Sequence, residues 1–264
     1  MVKRGKSSSG FMAELKERII AEARALEAPG ERMLTGIRGF DELVRGGLFR
    51  GATYLLSGVS GAGKSIFCLE FLYRGATEYG EPGLYVSLEE HLDSILRNAR
   101  NFRWNLKSLI DQQMLILLDL SVVAVGEKAM SLNTDAFTLD GLYATIETVV
   151  REGGIKRVVL DPVSVLFLQY GNVGVVRREL NVISGMLKRH GCTSIFVTET
   201  EYGKPSITRF GVEEFMADGV FLLYWEPEGD KRSRYIEIYK MRGSPHYEGK
   251  KRLAITDNGI VILY

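Results

Sequence analysis

Eight consecutive residues, Gly58-Val59-Ser60-Gly61-Ala62-Gly63-Lys64-Ser65, match the pattern GxxxxGK[ST] in full. Glycines at these positions let a loop turn its amides inward around an anionic phosphate chain. The lysine reaches the outer phosphates as a point charge, and the serine hydroxyl that follows is a hard oxygen ligand suited to Mg²⁺. The chemistry implied is binding of ATP or GTP. Gly58, Ser60, Gly61, Ala62, Gly63, Lys64, Ser65 and Ile66 would surround the phosphates, with Ser65 on the metal.

Carboxylates supply the second half of such a site. Val158-Val159-Leu160-Asp161 is an apolar run ending in an acid, the form in which a phosphate-loop enzyme offers a second metal-holding group. On its own the pattern also fits an aspartate capping the turn at Pro162. Glu89 and Glu90 close another apolar run, Leu84-Tyr85-Val86-Ser87-Leu88. A carboxylate there can accept a hydrogen bond from an attacking water and align it with the terminal phosphate. Paired glutamates before a helix also complement its N-terminal dipole, and spacing alone leaves both readings open.

These residues need strands that end at one edge and helices that start there. Apolar runs predict strands at Thr53–Ser57, Leu84–Leu88, Met114–Leu118, Arg157–Asp161 and Thr193–Thr198. Helical periodicity falls between them at Lys64–Tyr79, Leu92–Phe102, Leu139–Glu152 and Val175–Arg189. Alternation of this kind builds a parallel sheet covered by helices on both faces, with ligands at the carboxyl ends of the strands. The chain then changes character: short strands at Val220–Trp225, Arg234–Met241, Arg252–Ile255 and Ile260–Leu263 are joined by tight turns and read as antiparallel hairpins appended to the core. Residues 119–138 lack periodicity and read as a functional or mobile loop. Residues 1–30 read as a basic segment followed by an amphipathic helix, Phe11–Leu26, stopped by Pro29-Gly30; residues 31–264 read as the α/β domain.

Composition narrows the partners. The chain has 264 residues, and 34 Lys plus Arg balance 33 Asp plus Glu, so no global basic field marks a dedicated nucleic-acid binder. Arg97, Arg100, Arg103 and Lys107 with Phe102 and Trp104 form a local strip that could imitate a single-strand surface, yet aromatics at helical spacing fit a core better. Arg151, Lys156 and Arg157 read as a solvated rim ahead of a buried strand. Cys68 and Cys192 are far apart in apolar stretches, without metal spacing, and read as buried thiols. His91 and His190 lack metal-ligand company and read as surface residues at helix ends. No apolar run reaches the length of a membrane span, and the expectation is a cytoplasmic protein with no membrane partner.

Further segments carry a family resemblance. Thr35-Gly36-Ile37 with Gly39-Phe40-Asp41-Glu42-Leu43 and Gly46-Gly47-Leu48 precedes the phosphate loop, and Ser87-Leu88-Glu89-Glu90 and Asn98-Ala99-Arg100-Asn101-Phe102 follow it. Arg209-Phe210-Gly211-Val212-Glu213-Glu214-Phe215, Lys240-Met241-Arg242-Gly243-Ser244-Pro245-His246 and Ile255-Thr256-Asp257-Asn258-Gly259 come later, in the same order and spacing. From residue 35 to 263 the chain resembles a KaiC-type ATPase of the RecA superfamily, closer to the hydrolysing first domain of such proteins than to the autophosphorylating second. The resemblance implies a RecA-like phosphate-loop core and a homo-oligomer, a hexameric ring with ATP and Mg²⁺ between subunits.

It also implies residue roles. Lys240 and Arg242, with Met241 between them and Ser244 and His246 beyond, would face the nucleotide of the neighbouring subunit, the two cations stabilising its γ-phosphate. Thr256 and Asp257 would lie near that same nucleotide, and Asn101 would contact adenine from the phosphate-loop side. Without the resemblance, Lys240 and Arg242 read as a solvated cationic face on an edge hairpin. The implied function is slow ATP hydrolysis coupled to assembly or to an unidentified signalling partner. A nucleotide-dependent scaffold with little turnover, a RecA-like factor on single-stranded DNA, and an autokinase using Ser206 or Thr208 are the alternatives.

Overall fold

The computed structural model describes residues 30–121, 138–201 and 206–264. The helix expected at Phe11–Leu26 and most of the expected 119–138 loop lie outside these residues. Two short strands, β1 (Arg32–Met33) and β2 (Leu48–Phe49), flank the one-turn helix α1 (Phe40–Leu43). Then follow β3 (Thr53–Gly58), α2 (Lys64–Tyr79), β4 (Gly83–Ser87), α3 (Leu92–Ala99), α4 (Leu106–Asp111), β5 (Leu115–Asp119), α5 (Leu139–Glu152) and β6 (Arg157–Asp161). The chain continues through α6 (Ser164–Tyr170), α7 (Val173–Arg189), β7 (Thr193–Glu199), a 3₁₀ turn (Glu213–Phe215), β8 (Gly219–Glu228), β9 (Lys231–Met241), β10 (Lys250–Thr256) and β11 (Gly259–Leu263).

Nine strands form one sheet in the order β11-β10-β9-β8-β3-β7-β6-β4-β5. Period-two alternation decides its layers. Tyr54, Leu56, Tyr85, Val159, Ile195 and Val197 pack on one face with α1, α2, α3 and α4. Leu55, Leu84, Val86, Val158, Leu160 and Phe196 pack on the other with α5, α6 and α7. Strands buried on both faces have no polar side to show. β3, β4 and β6 are accordingly buried at every residue.

Three expectations change. β8 is not the start of an appended hairpin: Tyr54 pairs with Gly219 and Gly58 with Leu223 in parallel register, so β8 is a sixth parallel strand and antiparallel pairing begins only at β9. The helix expected to run to Phe102 stops at Ala99, because Phe102 and Trp104 turn inward and stack at 4.5 Å, with Tyr73 5.4 Å beyond Trp104. Trp104 is thus core and Phe102 packs against the same cluster, as aromatics at helical spacing suggested. Arg157 is not a solvated rim residue: it is 0 % exposed. Its guanidinium meets Glu81 at 2.6–2.7 Å and donates to the carbonyls of Leu34, Phe71 and Thr35. Cys68 and Cys192 are buried free thiols, and no helix among the described residues is long and apolar enough to cross a membrane.

Candidate active site

The phosphate loop leaves the carboxyl end of β3 and enters α2 at Lys64, with Gly63 at φ 107° as the residue that opens the helix. β7, which pairs with β3, and β6 beyond it also end at this edge, and β4 turns there into the Glu pair. A crevice of about 370 Å³ results, lined by Lys64, Ser65, Tyr85, Ser87, Glu89, Glu90, Asp161, Pro162 and Glu199. A larger cleft of about 730 Å³ opens beside Gly58 and Val59 toward Tyr224 and Trp225. The smaller crevice is the candidate site, because the loop cation and the Asp161 carboxylate both line it.

Lys64 is buried, and its Nζ donates to the carbonyls of Gly58 at 2.9 Å and Val59 at 3.1 Å. Burial pushes its pKa down, against the pull of the nearby Glu199 and Asp161 charges. The Ser65 hydroxyl donates to Asp161 Oδ2 at 3.0 Å, and the Tyr85 hydroxyl donates to the same oxygen at 2.5 Å. Burial raises the Asp161 pKa, and those two hydrogen bonds oppose the rise. Glu89 is shifted up by burial and by the charges of Glu199 and Asp161; Glu90 is shifted up by burial and by Asp161. Raised carboxylates move toward the range in which a group accepts protons effectively near neutrality.

A hydroxyl touching a buried carboxylate is an oxygen pair suited to Mg²⁺, which keeps several waters and needs few protein ligands. Among the described residues no cluster of three or more His, Cys, Asp or Glu could hold a metal by itself. The donor set therefore fits a cation shared with phosphate oxygens rather than a closed protein cage.

The remaining candidates divide between two ends of the sheet. Ile255 at the end of β10 packs toward Gly63, and the Asp257 carbonyl accepts the Arg103 N–H at 3.0 Å, two residues after Asn101. Thr256, Asp257 and Asn101 thus stand on the side of their own phosphate loop. This differs from the grouping of Thr256 and Asp257 with Lys240. The cause is strand direction: β10 runs antiparallel to β9, so where β9 leaves the phosphate-loop edge β10 returns to it.

Lys240, Met241, Arg242, Ser244 and His246 lie at the opposite end. Met241 pairs with Gly219, whereas Gly58 pairs with Leu223, four residues further along β8. That separation is about 13 Å along the strands and about 9.5 Å across them. Lys240 Nζ donates to the carbonyls of Glu214 (2.8 Å) and Ala217 (2.7 Å), and Arg242 to that of Phe215 (3.3 Å). Burial and the Arg242 charge lower the Lys240 pKa. His246 Nδ1 lies 3.0 Å from the Tyr247 carbonyl, and the Ser244 hydroxyl donates to the Pro245 carbonyl. Neither cation reaches the phosphate loop of its own chain.

Two outlying groups have local roles. His91 opens α3 and lies 3.0 Å from the Ser121 hydroxyl, and His190 lies 3.7 Å from Glu147. Thr208 is fully buried and donates to Glu214 at 2.8 Å, and Ser206 donates to the Thr208 carbonyl.

Sequence reading missed Glu199 and Tyr85. Glu199 ends β7 beside Lys64 at 3.8 Å and Arg209 at 3.8 Å. The rule that found Asp161, an acid closing an apolar parallel strand, applies equally to Glu199 and could have found it. Tyr85 carried no signal, since an aromatic within an apolar strand reads as core.

A family model described as "ATPase: KaiC" matches residues 33–264. The chain is 44 % identical over 230 residues to the circadian clock oscillator protein KaiC of Parathermosynechococcus lividus, covering 86 % of this chain and 41 % of that protein. It is 41 % identical over 253 residues to that of Thermostichus vulcanus, covering 95 % and 48 %. The chain thus spans less than half the length of these curated relatives. The crystal structure of a KaiC-like protein from the hyperthermophilic archaeon Pyrococcus horikoshii superposes with a TM-score of 0.78 at 33 % identity, covering 89 % of this chain and all of that one. Family model, relatives and superposed structure agree, and this chain, with its RecA-like fold, belongs to the KaiC ATPase family.

Proposed function

We propose that this protein binds Mg-ATP and hydrolyses it slowly at the interfaces of a homo-oligomeric ring, a hexamer, and that the nucleotide state reports on assembly or on a signalling partner. The observation that carries the reading is convergence: Lys64 and Ser65, Glu89 and Glu90, and Asp161 come from three separate stretches of sequence and line one crevice. Lys64 would leave its two loop carbonyls for the outer phosphates of ATP. Mg²⁺, when bound, would neutralise phosphate charge beside Ser65 and Asp161. Glu89 or Glu90 would orient the attacking water and take its proton. Asn101, Thr256 and Asp257 would meet the base and ribose from their own chain.

Assembly enters through the other end of the molecule. Lys240 and Arg242 are too far from their own phosphate loop to serve it, so a role at the γ-phosphate requires a second subunit. Ser244 and His246 would accompany them on the partner's nucleotide. A cation supplied this way stabilises charge that develops only in the transition state.

The test is steady-state phosphate release with Mg-ATP, alongside equilibrium ATP binding, for wild type and for a variant with both Glu89→Gln and Glu90→Gln. Binding is expected to persist and turnover to fall by ~10²–10⁴-fold. Unchanged turnover would assign the pair to capping α3. Binding without release in the wild type would leave a scaffold instead of an enzyme.

A further inference from the structure

Outside the crevice, one cross-strand pair reaches the phosphate loop from behind. Trp225 on β8 and Arg234 on β9 stand directly opposite each other in the antiparallel ladder. The Arg234 Nε donates to the Gly61 carbonyl at 3.0 Å, and its guanidinium carbon lies 5.0 Å from the Trp225 ring centre. The indole lies against the Gly61 backbone so closely that a Cβ there would sit 2.5 and 2.8 Å from its ring carbons. Gly61 has φ 78°, so the position excludes a side chain twice, by conformation and by space.

We propose that Trp225 and Arg234 are positioning residues for ATP, which together hold the Gly61 peptide outward and keep the phosphate loop formed before nucleotide arrives. A trans peptide carries its C=O and the next N–H in opposite directions, so anchoring the Gly61 carbonyl outward turns the Ala62 N–H toward the inside of the loop. That N–H closes a turn on the Val59 carbonyl at 3.2 Å, the same carbonyl that accepts from Lys64. Ile255 steadies the next bend, its Cδ1 lying 3.1 Å from where a Gly63 Cβ would stand. The brace sits on the β8–β9 hairpin of a nine-stranded sheet, a rigid support for a loop with three glycines, Gly58, Gly61 and Gly63, of which Gly61 is the one that Trp225 and Arg234 touch.

A glycine-rich loop left to itself samples many conformations, and ordering it on binding would subtract from affinity. Holding it in place lowers that cost equally for bound substrate and transition state. The signature is therefore a change in KM and Kd with kcat preserved. The proposal rests on the reading that this loop binds ATP, and the experiment separates the two.

Equilibrium Mg-ATP binding and steady-state hydrolysis are measured for wild type, Lys64→Ala, Arg234→Ala, Trp225→Ala, Trp225→Phe, Arg234→Lys and the double alanine variant. Arg234→Ala and Trp225→Ala are expected to weaken ATP binding roughly tenfold, with kcat within about twofold of wild type. Phe keeps a ring face on Gly61 and Lys keeps a donor, so these two should recover part of the loss. The double variant should lose less than the product of the single losses, because both act through one peptide. Arg234 is half-buried, like Trp225, and Trp225→Phe and Arg234→Lys keep most of the packing, so these conservative variants report even where an alanine variant fails to fold. Wild-type affinity in Arg234→Ala and Trp225→Phe alike, with Lys64→Ala impaired, would overturn the brace and leave the phosphate loop standing. Equal binding by wild type and Lys64→Ala would overturn the ATP reading and the brace with it.

Discussion

Arg157 and Arg242 stand at the same end of the sheet, the end away from the phosphate loop, and their charges are answered differently. Arg157 opens β6 with its side chain fully enclosed. Glu81 pairs with it, three backbone carbonyls accept its N–H groups, and the rings of Phe71 and Tyr79 lie 4.8 and 5.2 Å from its guanidinium carbon. Arg242 follows β9 with a side chain 57 % exposed, one hydrogen bond to a carbonyl at 3.3 Å, and Asp218 at 3.9 Å. A buried cation with a full set of acceptors is part of the architecture, since removing it strands what surrounds it. A surface cation with one long ion pair stays available to an anion from outside the chain, and its ion pair contributes little to stability. The lesson is that charge compensation, more than residue type or position along a strand, separates an arginine fixed in the architecture from one left open to an outside anion.

The largest expected effect breaks function alone. Arg242→Ala should fold like wild type, admit ATP to its own phosphate loop, and lose hydrolysis by an amount on the order of 10³–10⁵ if the cation acts on a neighbour's phosphate. Mixing it with Lys64→Ala subunits sharpens the point. Some interfaces then join an intact loop to an intact Arg242, and phosphate release should partly return once subunit exchange is demonstrated by mass. Absence of recovery in proven mixed assemblies would place Arg242 among the structural residues with Arg157.

The reverse substitution should break stability alone. Arg157→Met fills similar space but removes the partner of Glu81 and the donors to three carbonyls. Loss of one member of a buried pair costs about 3–5 kcal/mol. The contact of Glu81 with Arg50 at 2.6 Å argues for the lower part of that range. Urea unfolding measures it. Turnover per folded molecule should stay unchanged, and a specific loss of turnover would erase the contrast with Arg242.

The two arginines also mark what could be read from sequence. The meeting of the phosphate loop, Asp161 and the Glu pair in one crevice was legible because it depends on local spacing and on strand ends, both visible along the chain. The α2 and α5 boundaries were legible for the same reason, their periodicity running from Lys64 to Tyr79 and from Leu139 to Glu152. Arg157 was misread as solvated because its acceptors come from Leu34, Thr35, Phe71 and Glu81, none of them adjacent. The same nonlocality hid the parallel pairing of β8 with β3, the return of Asp257 to its own loop, and the seat of Trp225 on Gly61. Local pattern names the candidate groups; long-range pairing decides which of them meet.

The smallest expected effect tests compensation with the sign reversed. Glu70 in α2 is a buried carboxylate, as Arg157 is a buried cation, but its partners are fewer: the Ile260 N–H at 2.6 Å and Arg74 at 3.3 Å. Burial dominates, and its pKa is pushed up from 4.5 to about 7. A carboxylate whose folded pKa lies above its unfolded value binds more protons when folded, so its contribution to stability is complete below about pH 4.5 and is lost as pH rises toward 7. The size follows from ~1.4 kcal/mol per pKa unit and comes to an upper limit of about 3 kcal/mol across that window. Glu70→Gln keeps the acceptor for Ile260 and removes the titration. Urea unfolding of wild type and variant between pH 4.5 and 7.5 should show the difference in stability shifting in favour of Glu70→Gln as pH increases. A difference independent of pH would mean that Ile260 and Arg74 compensate Glu70 as fully as Glu81 and the carbonyls compensate Arg157.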